Sequence, residues 1–127
     1  MIMTENQLER IRQCVRDHMR GWERVNRTKG RPHGPCWPIS HVLSAMGWGE
    51  VFFCRAVRVR TNRPYGHYVV VNGPEKQIID CSGEYLVSKS PAHAWYREFE
   101  QFGDWHNAYT EEQVAFWSRA LEEVARP

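Results

Sequence analysis

Apolar residues recur at helical spacing in three stretches of the chain. Leu8, Ile11, Val15, Met19, Trp22 and Val25 step by three or four, the spacing of one buried helix face. Thr4-Glu5-Asn6-Gln7 stands in front of them with the S/T-x-x-E/Q pattern of a capping box. A first helix is therefore predicted from Glu5 to about Arg27, with its arginines on the outer face. Ile39, Val42, Leu43 and Met46 form a second stripe, and Gly47 stands where that helix should stop. Thr110-Glu111-Glu112-Gln113 is another capping box, and Val114, Trp117, Leu121 and Val124 follow it as a third stripe. Ser90-Pro91 reads as an N-cap and first helical residue. It predicts a further helix to about Gln101, with Ala94, Trp95, Phe99 and Phe102 on one side and Gly103 as its interruption.

The middle of the chain changes period. From Val51 to Arg60 the second half alternates apolar and basic, a half-buried strand. Asn62-Arg63-Pro64-Tyr65-Gly66 reads as a turn and His67-Tyr68-Val69-Val70-Val71 as a β-prone run. Asn72-Gly73 is a strong hairpin signal, and with a two-residue turn it pairs residue 71 with residue 74. Gln77-Ile78-Ile79-Asp80-Cys81 is the return strand, Ser82-Gly83 closes it, and Glu84 to Val87 adds a short fourth piece. The predicted order is two helices, an antiparallel sheet of three or four strands, then two helices. That is an α+β arrangement in one domain, residues 1–127, with no repeat and no linker.

Composition narrows the function. The chain's 127 residues suffice for a core without metal or disulfide staples. A net charge of +2 is too small to imply nucleic acid by itself. No apolar run approaches the roughly twenty residues that span a bilayer. Met1-Ile2-Met3 leads directly into a polar helix rather than a basic and apolar leader. Four cysteines, at 14, 36, 54 and 81, contain no C-x-x-C pair. Free thiols in a reducing, cytoplasmic setting are the expectation.

The candidate chemistry centres on Gly34-Pro35-Cys36-Trp37-Pro38-Ile39-Ser40-His41-Val42-Leu43, a turn running straight into a helix. Cys36 opens that helix, where unpaired N–H groups and the dipole favour an anion and so the thiolate nucleophile. His67 begins one hairpin strand and Asp80 ends the other. In the predicted register His67 lies opposite Ile78, and Asp80 shares the face of Ile78 because side chains alternate with period two. His67 and Asp80 are then diagonal neighbours. An imidazole there can take the thiol proton, and the carboxylate can hold its tautomer. Gly66 and Gly83 leave open space beside the base and the acid. Cys14 and His18 flank the first stripe as core-edge residues, and Cys54 reads as core. Cys81 points away from Asp80 and reads as packing, and His41 as structural.

This arrangement resembles the transglutaminase-like branch of the papain-like cysteine enzymes. The resemblance rests on chain order Cys36, His67, Asp80, on the cysteine opening a helix, on Gly66-His67-Tyr68-Val69-Val70-Val71, and on Gln77-Ile78-Ile79-Asp80. It spans roughly residues 34–82. It implies a papain-like, transglutaminase-like core: a central helix packed on a small antiparallel sheet, with flanking N- and C-terminal helices. It implies a peptidase, deamidase or transglutaminase-type acyl transferase acting on a protein or peptide amide through a thioester, without a cofactor. By resemblance Cys36 is the nucleophile, His67 the base and Asp80 the orienter. Trp22, His33 and Trp37 are the candidates for a side-chain oxyanion donor.

Two other readings stay open. His33, Cys36, His67 and Cys81 or Asp80 offer imidazole, thiolate and carboxylate ligands suited to zinc, though without paired short spacings. Residues 8–31 carry eight Lys/Arg against three acids. Arg16, Arg20, Arg24 and Arg27, extended by Arg55, Arg58 and Arg60, could form a binding module for nucleic acid or an acidic protein.

Overall fold

Both capping boxes sit at helix starts in the computed structural model, which describes residues 2–27, 35–58, 64–81, 85–87, 96–97 and 110–127. Helix α1 spans Glu5–Arg27 and α3 spans Glu111–Leu121. The α3 box is complete: the Gln113 N–H donates to Thr110 Oγ1 at 3.3 Å, and the Thr110 N–H donates to Gln113 Oε1 at 2.9 Å. At α1 only half forms. The Gln7 N–H donates to Thr4 Oγ1 at 3.1 Å, but the Gln7 side chain turns away and donates to the Arg126 carbonyl at 2.8 Å. One orphan donor of the helix start is satisfied, and the spare amide ties α1 to the end of the chain.

Helix α2 spans Cys36–Ala45. Its end is a Schellman motif: the Gly47 N–H donates to the Ser44 carbonyl at 3.0 Å and the Trp48 N–H to the Leu43 carbonyl at 3.1 Å. Gly47 takes φ +97° there, a conformation glycine adopts without a Cβ clash. Trp48 then folds under the domain. It is buried, and its Nε1 donates to the Ala125 carbonyl at 2.6 Å.

The stripes become the core. Leu8, Ile11, Val15 and Trp22 of α1, Ile39, Val42 and Leu43 of α2, and Trp117 and Leu121 of α3 join one buried cluster with Val70 and Ile79 of the sheet. The Trp22 and Trp117 rings meet at 5.8 Å between centroids, within the range of favourable aromatic pairing. Cys14 and His18 stay at the core's edge, as expected. The Cys14 thiol donates to the Ala120 carbonyl at 3.2 Å, and His18 Nδ1 lies 2.8 Å from the Cys14 carbonyl.

The sheet is antiparallel. Strands β1 (Glu50–Arg58), β2 (Pro64–Asn72), β3 (Gln77–Ile79) and β4 (Tyr85–Val87) lie in the order β3-β2-β1-β4, and β5 (Tyr96–Arg97) also pairs with β1. Two expectations change here. Pro64, Tyr65 and Gly66 belong to β2 rather than to a turn, and a proline is tolerated as the first residue of a strand. Tyr96 and Arg97 form a strand where a helix is predicted. The free edge of β1 offers backbone partners that override the local helical pattern. The rest of that predicted helix, with Trp95, Phe99 and Phe102, lies outside the described residues.

The β2–β3 hairpin also differs from expectation. Asn72 pairs with Gln77 and Val71 with Ile78, so the register is displaced by four residues from a two-residue turn. Pro74 explains the change: lacking an N–H, it cannot return the ladder hydrogen bond to residue 71. The chain instead turns over residues 73–76, with Gly73 at φ +71°, Lys76 at φ +55°, and the Lys76 N–H donating to the Gly73 carbonyl at 3.1 Å. His67, Tyr68, Val69 and Val70 are all buried. Successive strand residues point to opposite faces, so β2 is covered on both. No described helix is long and apolar enough to cross a membrane.

Candidate functional site

Helix α2 packs against β2 and, less extensively, β1. That packing brings the first residue of the helix to the base predicted on the strand. Cys36 is half-buried. The first backbone hydrogen bond of α2 runs from the Ile39 N–H to the Pro35 carbonyl at 3.1 Å, so the Cys36 N–H precedes the intrahelical ladder. Pro35 and Pro38 carry no N–H. Both suit a helix start, where the first turn has no intrahelical acceptor for one.

His67 is 1 % exposed and Asp80 8 %. His67 Nε2 and Asp80 Oδ1 are 2.9 Å apart, within charge-assisted hydrogen-bond range. The diagonal relation survives the changed register because a displacement of four is even. Asp80 remains on the face of His67, now reached from the other diagonal. Nε2 is turned to the carboxylate, Nδ1 is buried, and Cys36 is a second hydrogen-bonding and charged neighbour of the ring. The serine-protease triad has the opposite arrangement, with Nδ1 on the carboxylate.

The electrostatics follow from these neighbours. Burial pulls the imidazole's pKa down. Hydrogen bonding to Asp80 and to Cys36, and the negative charge each can carry, outweigh burial and raise it from 6.5 to about 9. These neighbours favour the imidazolium form of His67 near neutral pH.

The other thiols are placed differently. Cys81 is buried in the core cluster, on the face opposite Asp80 as expected. Burial, then the Asp80 charge, push its thiol up to about 12, with Arg12 pulling weakly down. Burial and then Asp17 also raise Cys14. Both stay protonated near neutrality, and a thiol that stays protonated is a poor nucleophile. The side chain of Cys54, the direct cross-strand partner of His67, is not described.

The remaining candidates scatter. Trp22 is a core ring packed on Phe116 and Trp117. Trp37 is half-buried beside Cys36 and stacks on His41, one turn along α2, with ring centroids 4.2 Å apart. Gly66 lies in β2 opposite Arg55. His33 and Gly83 lie outside the described residues. No group of three or more His, Cys, Asp or Glu suited to a metal ion occurs among the described residues. Of the basic face of α1, Arg16 is engaged by Glu9 and Gln13, each at 2.8 Å, while Arg20 and Arg24 are exposed.

Sequence reasoning missed one residue on the acid and one on the strand that leads to it. Arg12 of α1 donates from Nε to the Asp80 carbonyl at 3.0 Å. Gln77 of β3 pairs both backbone groups of Met3, accepting from its N–H at 3.0 Å and donating to its carbonyl at 2.7 Å. Neither belongs to a local motif, so only contacts between residues distant in sequence reveal them. No protein-family model, curated protein or solved structure matches the chain, and the functional reading therefore rests on the geometry of Cys36, His67 and Asp80.

Proposed function

We propose that this chain is a thiol-dependent amide hydrolase or acyl transferase, with an architecture of the papain-like, transglutaminase-like kind, acting on protein or peptide amides. The observation that carries the reading is the buried His67–Asp80 pair, 2.9 Å between Nε2 and Oδ1, with Cys36 as a further interacting neighbour of the ring. The imidazolium is the counter-charge a thiolate on Cys36 needs. The sulfur attacks the amide carbonyl carbon, forming the S–C bond and a tetrahedral oxyanion. The Cys36 backbone N–H, ahead of the α2 ladder, is positioned as a donor to that oxyanion. His67 passes its Nδ1 proton to the leaving nitrogen, the C–N bond breaks, and a thioester remains. His67 then accepts a proton from the water or amine as its oxygen or nitrogen bonds to the acyl carbon, the C–S bond breaks, and the Cys36 thiolate is released beside the imidazolium. Asp80 holds the Nε2–H throughout and so keeps the ring in one tautomer and orientation.

An activated acyl ester such as p-nitrophenyl acetate makes few demands on specificity. It should give a burst of nitrophenol and an acyl adduct on Cys36, seen by intact mass, released by hydroxylamine and absent from Cys36→Ala. Acylation spread over other nucleophiles, with no burst lost in Cys36→Ala, would remove the basis for the reading.

A further inference from the structure

The acid of the site lies outside the ladder of the strand that leads to it. Strand β3 has only three residues, and its last pair with β2 is Val70 with Ile79. Asp80 therefore lies one residue past the ladder, where strand pairing no longer sets the backbone. Its side chain must nonetheless hold a 2.9 Å contact with His67. Displacements of the order of 1 Å in such a constellation cost about a hundredfold in rate. Something beyond the ladder has to set the backbone at residue 80.

The N-terminal part of the chain makes two contacts with this segment. Ahead of α1, the Gln77 side chain grips the Met3 backbone through both amide atoms. Two turns along, the half-buried Arg12 donates from Nε to the Asp80 carbonyl at 3.0 Å. The two links bracket β3, one at its first residue and one just beyond its last. Arg12 differs from the arginines of the outer face. Arg16, one turn on, is exposed and bound to the exposed Glu9, and such surface pairs contribute little. The Arg12 guanidinium is instead directed at the backbone of the acid, bringing a planar, permanently charged donor.

We infer that Arg12 is a positioning residue for the reaction: it holds the Asp80 backbone beyond the end of β3 so that the carboxylate stays on His67 Nε2. Helix α1 is on this view a brace for the acid strand as well as a wall of the core. The inference rests on the proposed Cys36–His67–Asp80 function.

The test reads the His67 ring directly. Histidine ring titrations are followed by NMR in the intact chain, with the His67 signal identified by its loss in His67→Ala. Four further variants are compared. Arg12→Met keeps an apolar stem of similar length and removes the donor and the charge; Arg12→Lys keeps a cationic donor. Gln77→Ala removes the link to Met3, and Asp80→Asn removes the carboxylate charge. The expected result is a His67 midpoint lowered by about one pH unit in Arg12→Met, restored largely in Arg12→Lys, lowered in Asp80→Asn and unchanged in Gln77→Ala. Loss of stability alone would move Gln77→Ala as much as Arg12→Met. An unmoved midpoint in Arg12→Met while Asp80→Asn shifts it would overturn the role of Arg12 and leave the triad standing. An unmoved midpoint in Asp80→Asn would remove the His67–Asp80 coupling and the inference with it. Should Arg12→Met fail to fold, Arg12→Gln reads in its place, with the same midpoint shift expected and the same null overturning the role.

Discussion

Gly49→Ala should destabilise the domain by about 3–5 kcal/mol, combining a disfavoured backbone conformation with overpacking. Gly49 links the Schellman end of α2 to β1 and takes φ +141°. A Cβ there would lie 2.2 Å from the Val71 carbonyl oxygen and 2.8 Å from its carbon. Those atoms are backbone, in the β1–β2 ladder where Glu50 pairs with Val71, so no side-chain rotation relieves the clash. Gly47 is the built-in comparison. It also has positive φ, at +97°, but a Cβ there meets nothing within 4 Å. Gly47→Ala should therefore cost only about 1–2 kcal/mol, the strain of the left-handed region alone. Urea unfolding of both variants checks the difference. Equal losses would mean that the close approach of residue 49 to β2 is wrong.

Asp80→Asn should lower the His67 midpoint by more than one pH unit, since a neutral acceptor gives roughly half the hydrogen bond and none of the charge. In the wild type the folded-state value, about 9, lies above the ordinary 6.5. The pair's contribution to stability is then complete below about pH 6.5 and is lost as pH rises through about 9. The wild type should lose stability across that window, and Asp80→Asn should lose most of this slope. Near pH 7 the variant should be less stable by about 2 kcal/mol, because a buried, charged hydrogen bond is weakened. Unfolding free energies at pH 6, 7.5 and 9 measure both effects. Parallel pH dependences for the two proteins would contradict the pairing.

The helices were legible because an apolar stripe follows a start signal in each. Thr4 precedes α1, Pro35 precedes α2 and Thr110 precedes α3, and Gly47 marks the end of α2. The hairpin was legible only in part. Asn72-Gly73 announced a turn, but Pro74 excluded the two-residue form, and the ladder moved by four residues. His67 and Asp80 stayed on one face because that displacement is even; a displacement of three would have separated them. Tyr96 and Arg97 show the opposite failure, where a sheet edge decides the structure of a segment whose own pattern is helical. The contacts of Arg12 and Gln77 cross 68 and 74 residues of sequence, and no local pattern encodes such a pairing. Site chemistry was readable where it sat on motif positions, and unreadable where tertiary packing alone supports it.

The most direct measurement is the rate of Cys36 alkylation against pH, followed by mass spectrometry in wild type and His67→Ala. A thiolate paired with imidazolium should be labelled at neutral pH while Cys14 and Cys81, buried and protonated, are not. Removing His67 should slow the labelling of Cys36 near pH 7 by about tenfold and move its pH profile toward that of a free thiol. Labelling of Cys36 at the rate of a free thiol, with the same profile in both proteins, would show that His67 does not activate the sulfur and would contradict catalysis by this site.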